Sequence, residues 1–297
     1  MDGIRLLAPD FALILLGVAL RRLAGFPSAF WSGLEQLIYF VLFPALLFSA
    51  LVRNPIEAGA ALPLFGAGLG TMAFGVVLSV LFARLGQHAP LEAVSRAQCG
   101  FRFNTYIGLA AAGSALGQPG LATMGLLCGM TVPFANAASV VLLARHAQTR
   151  LLPELVRNPL ILATLAGLAC NLLGWHPPAA ADAALSRLAQ ASVPMGLLTV
   201  GAALCFKGTR VSPVPAVAVL AVKLAALPLI AWFAAQLCGL SATPRAVLVL
   251  WAGLPSASSA YILAVRLGGD AAGVAWLISV STLIAMLSLP LLLALVA

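Results

Sequence analysis

Charge is what this sequence has least of. Asp, Glu, Lys and Arg make up 8% of its 297 residues, while 62% are hydrophobic and the mean hydropathy is +1.08. Soluble domains carry about 25% charged residues. So small a stock cannot cover a water-facing surface, which excludes a soluble globular fold and makes the bilayer the solvent. Acid is scarcer still, with 8 Asp and Glu in all. Asp10 and Glu35 fall near the ends of apolar runs and read as interface positions. A sodium or proton relay normally wants a carboxylate deep in the membrane. No clear one is present, which also counts against a cationic solute. The three histidines, His88, His146 and His176, fall in separate loops, so no metal cluster is expected. Cys99, Cys128, Cys170, Cys205 and Cys238 form no Cys-x-x-Cys pair and read as small packing residues. There is no Gly-x-Ser-x-Gly elbow. These absences point away from an enzyme, and no cofactor is expected.

Long apolar runs are what the sequence does have. Ten runs of membrane-spanning length lie at 6–24, 33–52, 61–84, 96–117, 120–144, 157–174, 186–206, 213–237, 246–266 and 272–296. They leave no room for a soluble domain. They are continuous rather than alternating, which predicts helices and not a membrane barrel. Arg21 and Arg22 follow the first run instead of preceding it, so that run is expected to remain as a helix.

Proline recurs at an offset of 150: Pro9 with Pro159, Pro27 with Pro177, Pro44 with Pro194, Pro63 with Pro213. Gly17 pairs with Gly167 on the same offset, and after one slipped residue Leu116-Gly117 pairs with Leu267-Gly268. The chain therefore reads as two five-helix repeats, 1–150 and 151–297. An odd number of spans reverses the side on which the second repeat starts, so the two must be inverted relative to each other, as in secondary transporters. Positive charge sets the orientation. One side receives Arg21, Arg22, Arg84, Arg96, Arg145, Arg150, Arg157, Lys207, Arg210 and Arg266; the other receives Arg5, Arg53, Arg187 and Arg245. The first set is expected in the cytoplasm, with both termini extracytoplasmic. Loop charge thus accounts for the net +8 without a nucleic-acid partner.

The fourth and ninth spans correspond in the repeat, and each carries a polar cluster near its middle. The fourth reads Gly100-Phe101-Arg102-Phe103-Asn104-Thr105-Tyr106-Ile107-Gly108, the ninth Gly253-Leu254-Pro255-Ser256-Ala257-Ser258-Ser259-Ala260-Tyr261. On the offset of 151, Asn104 falls opposite Pro255. Pro255 removes a backbone donor and clashes with the preceding turn, and Gly253 loosens it. Ser256, Ser258 and Ser259 are then candidates to cap a restarting helix, as are Asn104 and Thr105 in the fourth span. Two broken helices meeting at mid-membrane would offer free N–H groups and positive dipole ends, which is an anion site. The competing reading is close packing by Ser and Thr with Pro255 as a simple kink.

Two cations lie inside spans. Lys223 sits about 15 Å from either end of the eighth at 1.5 Å per residue, too deep to snorkel. It must answer an anion, a helix C-terminal end or water. Arg102 either faces a substrate carboxylate or snorkels to the cytoplasmic surface. Asn136, in the fifth span, is a candidate for the site or for an interhelical hydrogen bond.

Phe101-Arg102-Phe103-Asn104-Thr105-Tyr106-Ile107-Gly108-Leu109 resembles the fourth helix of bacterial members of the auxin efflux carrier family. Asn158-Pro159-Leu160-Ile161, Asn171-Leu172-Leu173-Gly174, Pro194 before Gly201-Ala202-Ala203-Leu204, Lys223 with Pro228, and the stretch from Leu254-Pro255 through Arg266 to Leu289-Pro290 are similar to it too. The resemblance implies a ten-helix all-α membrane fold related to bile-acid symporters. Helices one, two, six and seven would form a scaffold; three to five and eight to ten would form a transport unit with crossed, broken helices four and nine. It implies elevator-like transport of a small organic anion, an auxin-like acid or a dicarboxylate such as malate or malonate. The alternative is a sodium- or proton-coupled symporter of another small solute. The expected binding set is Arg102, Asn104, Thr105, Tyr106, Gly108, Asn136, Lys223, Pro255, Ser256, Ser258 and Ser259, with no metal. Expected partners are the organic anion, membrane lipid and a second copy of the chain in a homodimer, in the cell (inner) membrane. Plant members carry a proline beside the helix-four asparagine where this chain has Phe103, which removes the proline argument for a break there. Their long cytoplasmic loop is also absent.

The charge count and the odd repeat make one direct prediction. A topology reporter fused to the C-terminus reads as extracytoplasmic; a cytoplasmic reading would break both the span count and the inversion.

Overall fold

The computed structural model describes residues 2–53, 58–84, 90–143, 159–204 and 213–296. The loop cations Arg145, Arg150, Arg157, Lys207 and Arg210, with His88, His146, Cys205 and Asn158, lie outside them. Among the described residues the fold is all helical, with no strand. In chain order the helices are α1 (Asp2–Arg22), α2 (Ser28–Arg53), α3 (Ala58–Ala83), α4 (Pro90–Ala97), α5 (Thr105–Leu143), α6 (Pro159–Leu172), α7 (Ala179–Ala203), α8 (Pro213–Leu237), α9 (Ala242–Ala252), α10 (Ser259–Arg266) and α11 (Ala271–Val296). Among the described residues five stretches are long and apolar enough to cross a membrane: Ser28–Arg53, Ala61–Ala83, Pro90–Leu143, Pro213–Leu237 and Ala271–Leu295. Leu62, Val77, Phe233 and Leu287 stand exposed on such helices. That is the pattern of a wall wetted by lipid, since apolar side chains facing acyl tails bear no hydrophobic cost. The chain is a multi-pass membrane protein.

Several boundaries have a local cause. α5 is interrupted at Gly117, whose φ of 65° and ψ of −158° leave the helix, so the chain turns back there between two antiparallel legs. That conformation suits glycine, which has no Cβ to clash. Two stretches widen into π-turns, Ile38–Leu42 in α2 and Val222–Ala226 in α8. Each ends two residues before a proline, Pro44 and Pro228. Proline offers no N–H to the carbonyl four residues back and its ring presses on that turn, which loosens the ladder there.

Helices from the first and second parts of the chain pack on each other. α1 lies along α7, and α6 against α2. A Cβ at Gly17 would overlap the carbonyl oxygen of Leu198, and a Cβ at Gly167 would come within 3.2 Å of the carbonyl oxygen of Phe48. Gly17 and Gly167 correspond at the offset of 150, and so do Phe48 and Leu198. One close backbone approach is therefore made twice, once in each half. Small residues at such approaches let helix backbones pack closely where lipid removes the hydrophobic drive between helices. Ser192 Oγ donates to the carbonyl of Leu42 at 2.5 Å, across a separation of 150. Asn171 Nδ2 donates to the Leu51 carbonyl at 2.7 Å, and Arg53 pairs with Asp182 at 2.7 Å and bonds Ser186. These bonds tie α2 to α6 and α7, and the close approach at Gly17 lays α1 on α7. On the other side, α8 packs on α3 and α9, and α9 packs on α5 and α11.

Steric overlap predicts the outcome of alanine substitution. Gly17→Ala should lower the melting temperature in detergent strongly, by overpacking worth about 1–3 kcal/mol, and Gly167→Ala less so. Gly66→Ala, where a Cβ meets nothing within 4 Å, should be neutral or mildly stabilising, as expected of glycine removal from a helix.

Candidate functional site

The chain leaves the helix twice in the interior, at 101–104 between α4 and α5 and at 253–258 between α9 and α10. The two breaks touch. The Asn104 N–H donates to the carbonyl of Pro255 at 2.8 Å, joining two residues that correspond at the offset of 151. The fourth span is therefore broken although it has no proline beside Asn104. Asn104 explains why. Its Oδ1 accepts from the N–H groups of Tyr106 at 3.0 Å and Ile107 at 3.3 Å, capping the start of α5. Trp251 packs on Phe103, with ring centroids 5.0 Å apart, and closes the apolar side of the crossing.

The serines behave differently from expectation. Ser258 is the N-cap of α10 but makes no side-chain cap bond. Its φ of −58° and ψ of −30° are already helical, whereas a capping side chain needs the extended N-cap geometry to aim its oxygen at the next turn. Ser256 Oγ is buried beside the Cys99 thiol, and the Ser256 N–H donates to Ser281 Oγ at 3.2 Å. Ser259 is exposed, and its Oγ accepts from Arg102. No serine side chain caps α10; at its head Ser259 Oγ instead accepts from the Arg102 guanidinium.

Arg102 points inward. It is 5% exposed, and its Nη2 donates to Ser259 Oγ at 2.7 Å and Asn136 Oδ1 at 2.9 Å. Its Nε and Nη1 have no partner among the described residues, and neither does Asn104 Nδ2. Snorkelling to the surface is thereby ruled out for this conformation, and Asn136 is joined to the cluster. Lys223, 2% exposed, takes the other alternative named above. Its Nζ donates at 2.9 Å to the carbonyl of Ala252, the last residue of α9.

The remaining expected residues divide. Thr105 is half-buried beside the Cys128 thiol. Tyr106 stacks on Phe43, centroids 4.5 Å apart, and lies against Gly196, so it faces α2 and α7. Gly108 serves close packing, since a Cβ there would press into the Leu254 side chain. A cavity of about 300 Å³ lies between α2, α7 and the first leg of α5, lined by Leu46, Arg53, Leu109, Ser114, Gln118 and Gln190 among others. It begins about one turn beyond Tyr106, and none of Arg102, Asn136 and Ser259 lines it.

Three supports were not singled out from the sequence. Gln98 Nε2 donates to the Ala260 carbonyl at 3.2 Å, holding the first turn of α10. Arg96, placed by sequence among loop charges, is 6% exposed and pairs with Asp270 at 2.5 Å. Asp270 Oδ1 in turn accepts from the Gly273 N–H at 2.9 Å and caps α11. Asp10 Oδ2 accepts from Ser114 Oγ at 2.9 Å, joining α1 to α5. A lone glutamine inside an apolar run was a usable signal for Gln98; the pairing of Arg96 with Asp270, 174 residues away, had none.

Proteins similar to this chain are named as transporters. Residues 143–293 match the family described as "Membrane transport protein". Over 286 residues the chain is 28% identical to a protein of Rhizobium meliloti (strain 1021) named "Putative malonate transporter", covering 89% of this chain and 86% of that protein. Over 287 residues it is 27% identical to an "Uncharacterized transporter" of Methanothermobacter thermautotrophicus, covering 94% of this chain and 93% of that one.

The capping role is testable by itself. Asn104→Ala should lower stability by about 1 kcal/mol, the usual worth of an N-cap. Asn104→Asp retains an acceptor for the Tyr106 and Ile107 N–H groups and should melt close to wild type. Equal melting of all three proteins would remove Asn104 as the cap.

Proposed function

The chain belongs to the membrane transport protein family, and from that premise we propose that it carries a small organic anion across the cell membrane by alternating access. It is a transporter and not an enzyme. The observation that carries the anion reading is Arg102. A cation at this depth costs at least about 2.5–3.5 kcal/mol, and removing its water requires a partner of opposite charge. Among the described residues its bonds go to two neutral side chains, and two of its N–H-bearing nitrogens are unmatched. It stands at the N-terminal end of α10, where helix N–H groups also favour an anion. A carboxylate lying between Arg102, Asn136 and Ser259 would satisfy the guanidinium, most strongly in bidentate form. The relative's name points to a dicarboxylate, and we take malonate as the first solute to test.

Asn104 changes the share of the two half-helix ends. Its Oδ1 already occupies the first free N–H groups of α5, and the Ala260 and Tyr261 N–H groups of α10 are met by the Ala257 and Ser258 carbonyls, so the anion reading rests on the Arg102 guanidinium itself. Asn104 Nδ2 is a further polar atom at the crossing without a partner among the described residues.

Ten spans in two inverted repeats, 1–150 and 151–297, are supported by contacts between counterparts. A residue touches its own repeat mate only close to the symmetry axis, and both Ser192 with Leu42 and Asn104 with Pro255 do so. α1, α2, α6 and α7 would be the scaffold. The other helices would be the moving unit, held together by the Asn104–Pro255, Arg102–Ser259 and Lys223–Ala252 bonds. Asp10–Ser114 crosses between the two groups and would have to break when they slide. The cavity beside Arg53 lies toward the side that the charge count makes extracytoplasmic.

Uptake and counterflow in proteoliposomes across a panel of organic acids test the reading. Malonate or a close dicarboxylate should be carried. Arg102→Gln should raise its apparent KM by about tenfold or more, the effect of losing one charge-assisted contact of about 1.4 kcal/mol or more, with insertion unchanged; Arg102→Lys should lie between. Unchanged affinity in Arg102→Gln for every anion carried would overturn the site.

A further inference from the structure

The carbonyl end of α9 is an unusual place for a lysine. α9 stops at Ala252, inside the protein, and its last carbonyls carry the negative end of the helix dipole. Backbone N–H groups reach some of them: Gly253 N donates to Val249 O at 3.1 Å and Leu254 N to Trp251 O at 3.3 Å. The Ala252 carbonyl is met by Lys223 Nζ. Lys223 is placed there by the π-turn Val222–Ala226 ahead of Pro228. The Cys128 thiol is the titratable group beside it, and no carboxylate is among its recorded neighbours.

The other break shows what is special here. On the offset of 150, Lys223 corresponds to Ala73. The Gln98 carbonyl, the counterpart of Val249 on the offset of 151, is closed by backbone in the same way, through the N–H groups of Phe101 at 3.4 Å and Arg102 at 3.0 Å. The two related helix ends thus differ in the added side chain: a cation reaches the α9 end, and alanine stands at the corresponding place in the other half. In carriers built from broken helices, half-helix carbonyl ends and unwound backbone are where coupling cations are coordinated.

We propose that the Lys223 ammonium is the resident cation of this carrier, standing at the α9 carbonyl end where a coupling sodium would otherwise bind, and that it makes transport independent of sodium. The inference rests on reading the chain as a carrier with a broken ninth span. It assigns Lys223 to coupling and leaves anion recognition to Arg102. A fixed ammonium neutralises the α9 end in every state of the cycle, so no ion has to enter or leave there. Shortening the side chain removes that charge and leaves the Ala252 carbonyl facing a space that a small cation can fill.

Purified protein tests this without any transported solute. Melting is measured in detergent with NaCl or with choline chloride at equal ionic strength, for wild type, Lys223→Ser and Lys223→Gln. A bound ion stabilises only the form that holds it. The wild type should melt alike in both salts. Lys223→Ser should melt lower in choline chloride and recover specifically in NaCl; Lys223→Gln, closer in bulk, supplies the same comparison if the serine variant does not fold. Uptake in proteoliposomes should follow, with wild type unaffected by replacing sodium and the variants faster in sodium by about tenfold, a usual size for coupling between two sites. Sodium-specific stabilisation or sodium-dependent uptake in wild type would overturn the proposal, as would folded variants indifferent to sodium. Failure of malonate uptake in wild type would count against the solute and leave the melting comparison to decide the role of Lys223.

Discussion

One hydrogen bond, from the Asn104 N–H to the Pro255 carbonyl, is the constraint on which the centre of this molecule depends. Backbone that leaves the helix inside a membrane protein has no water to turn to, so its polar groups must be met by protein. Two helix breaks in isolation would each carry that cost. Placed against each other they answer one another, and the repeat guarantees the meeting, because each break lies at the same position in its own half. The surrounding supports are local additions to that arrangement: Asn104 capping α5, Ser281 accepting from Ser256, and Gln98 holding Ala260. The same logic accounts for the small residues at Gly17 and Gly167, where one close helix approach had to be accommodated twice.

Much of the architecture was legible because it is written in residues with few alternatives. Prolines at a constant offset mark the halves, and apolar length marks the spans. Gly117 read as a boundary between two runs and is the residue at which α5 turns back. The correspondence of Asn104 with Pro255 was available from counting, and it became a contact. The helix-four break was undervalued for want of a proline. Asparagine achieves the same end by a different route, drawing two backbone N–H groups onto its side chain instead of deleting one.

What the sequence concealed was orientation. Arg102 had two directions open to it, and only the packed structure turns it toward Asn136 and Ser259. Three serines after a proline suggested caps by composition, yet Ser258 is already helical and its hydroxyl is aimed elsewhere. The π-turns had no evident sequence signal. They follow from Pro44 and Pro228, but prolines elsewhere in these helices, such as Pro63 and Pro290, sit in stretches that stay α-helical. Arg96 was legible as a charge near a span end and not as a buried partner of Asp270.

Symmetry supplies the frame, and departures from symmetry carry the chemistry. On the offset of 151, Arg102 corresponds to Gly253 and Ser259 to Gly108. The guanidinium and the hydroxyl it bonds therefore have no equivalents at the related place, where Gly108 packs against Leu254 instead. Lys223 likewise faces Ala73 across the repeat. A perfectly duplicated centre would present the same field toward both sides of the membrane. In this chain one side of the crossing carries Arg102 and the other carries the lysine-capped end of α9. The proposed division of labour, an anion at Arg102 and a neutralised helix end at Lys223, requires that difference, and the crossing permits it because its contact is made by the backbone of Asn104 and Pro255 while the side chains around it differ.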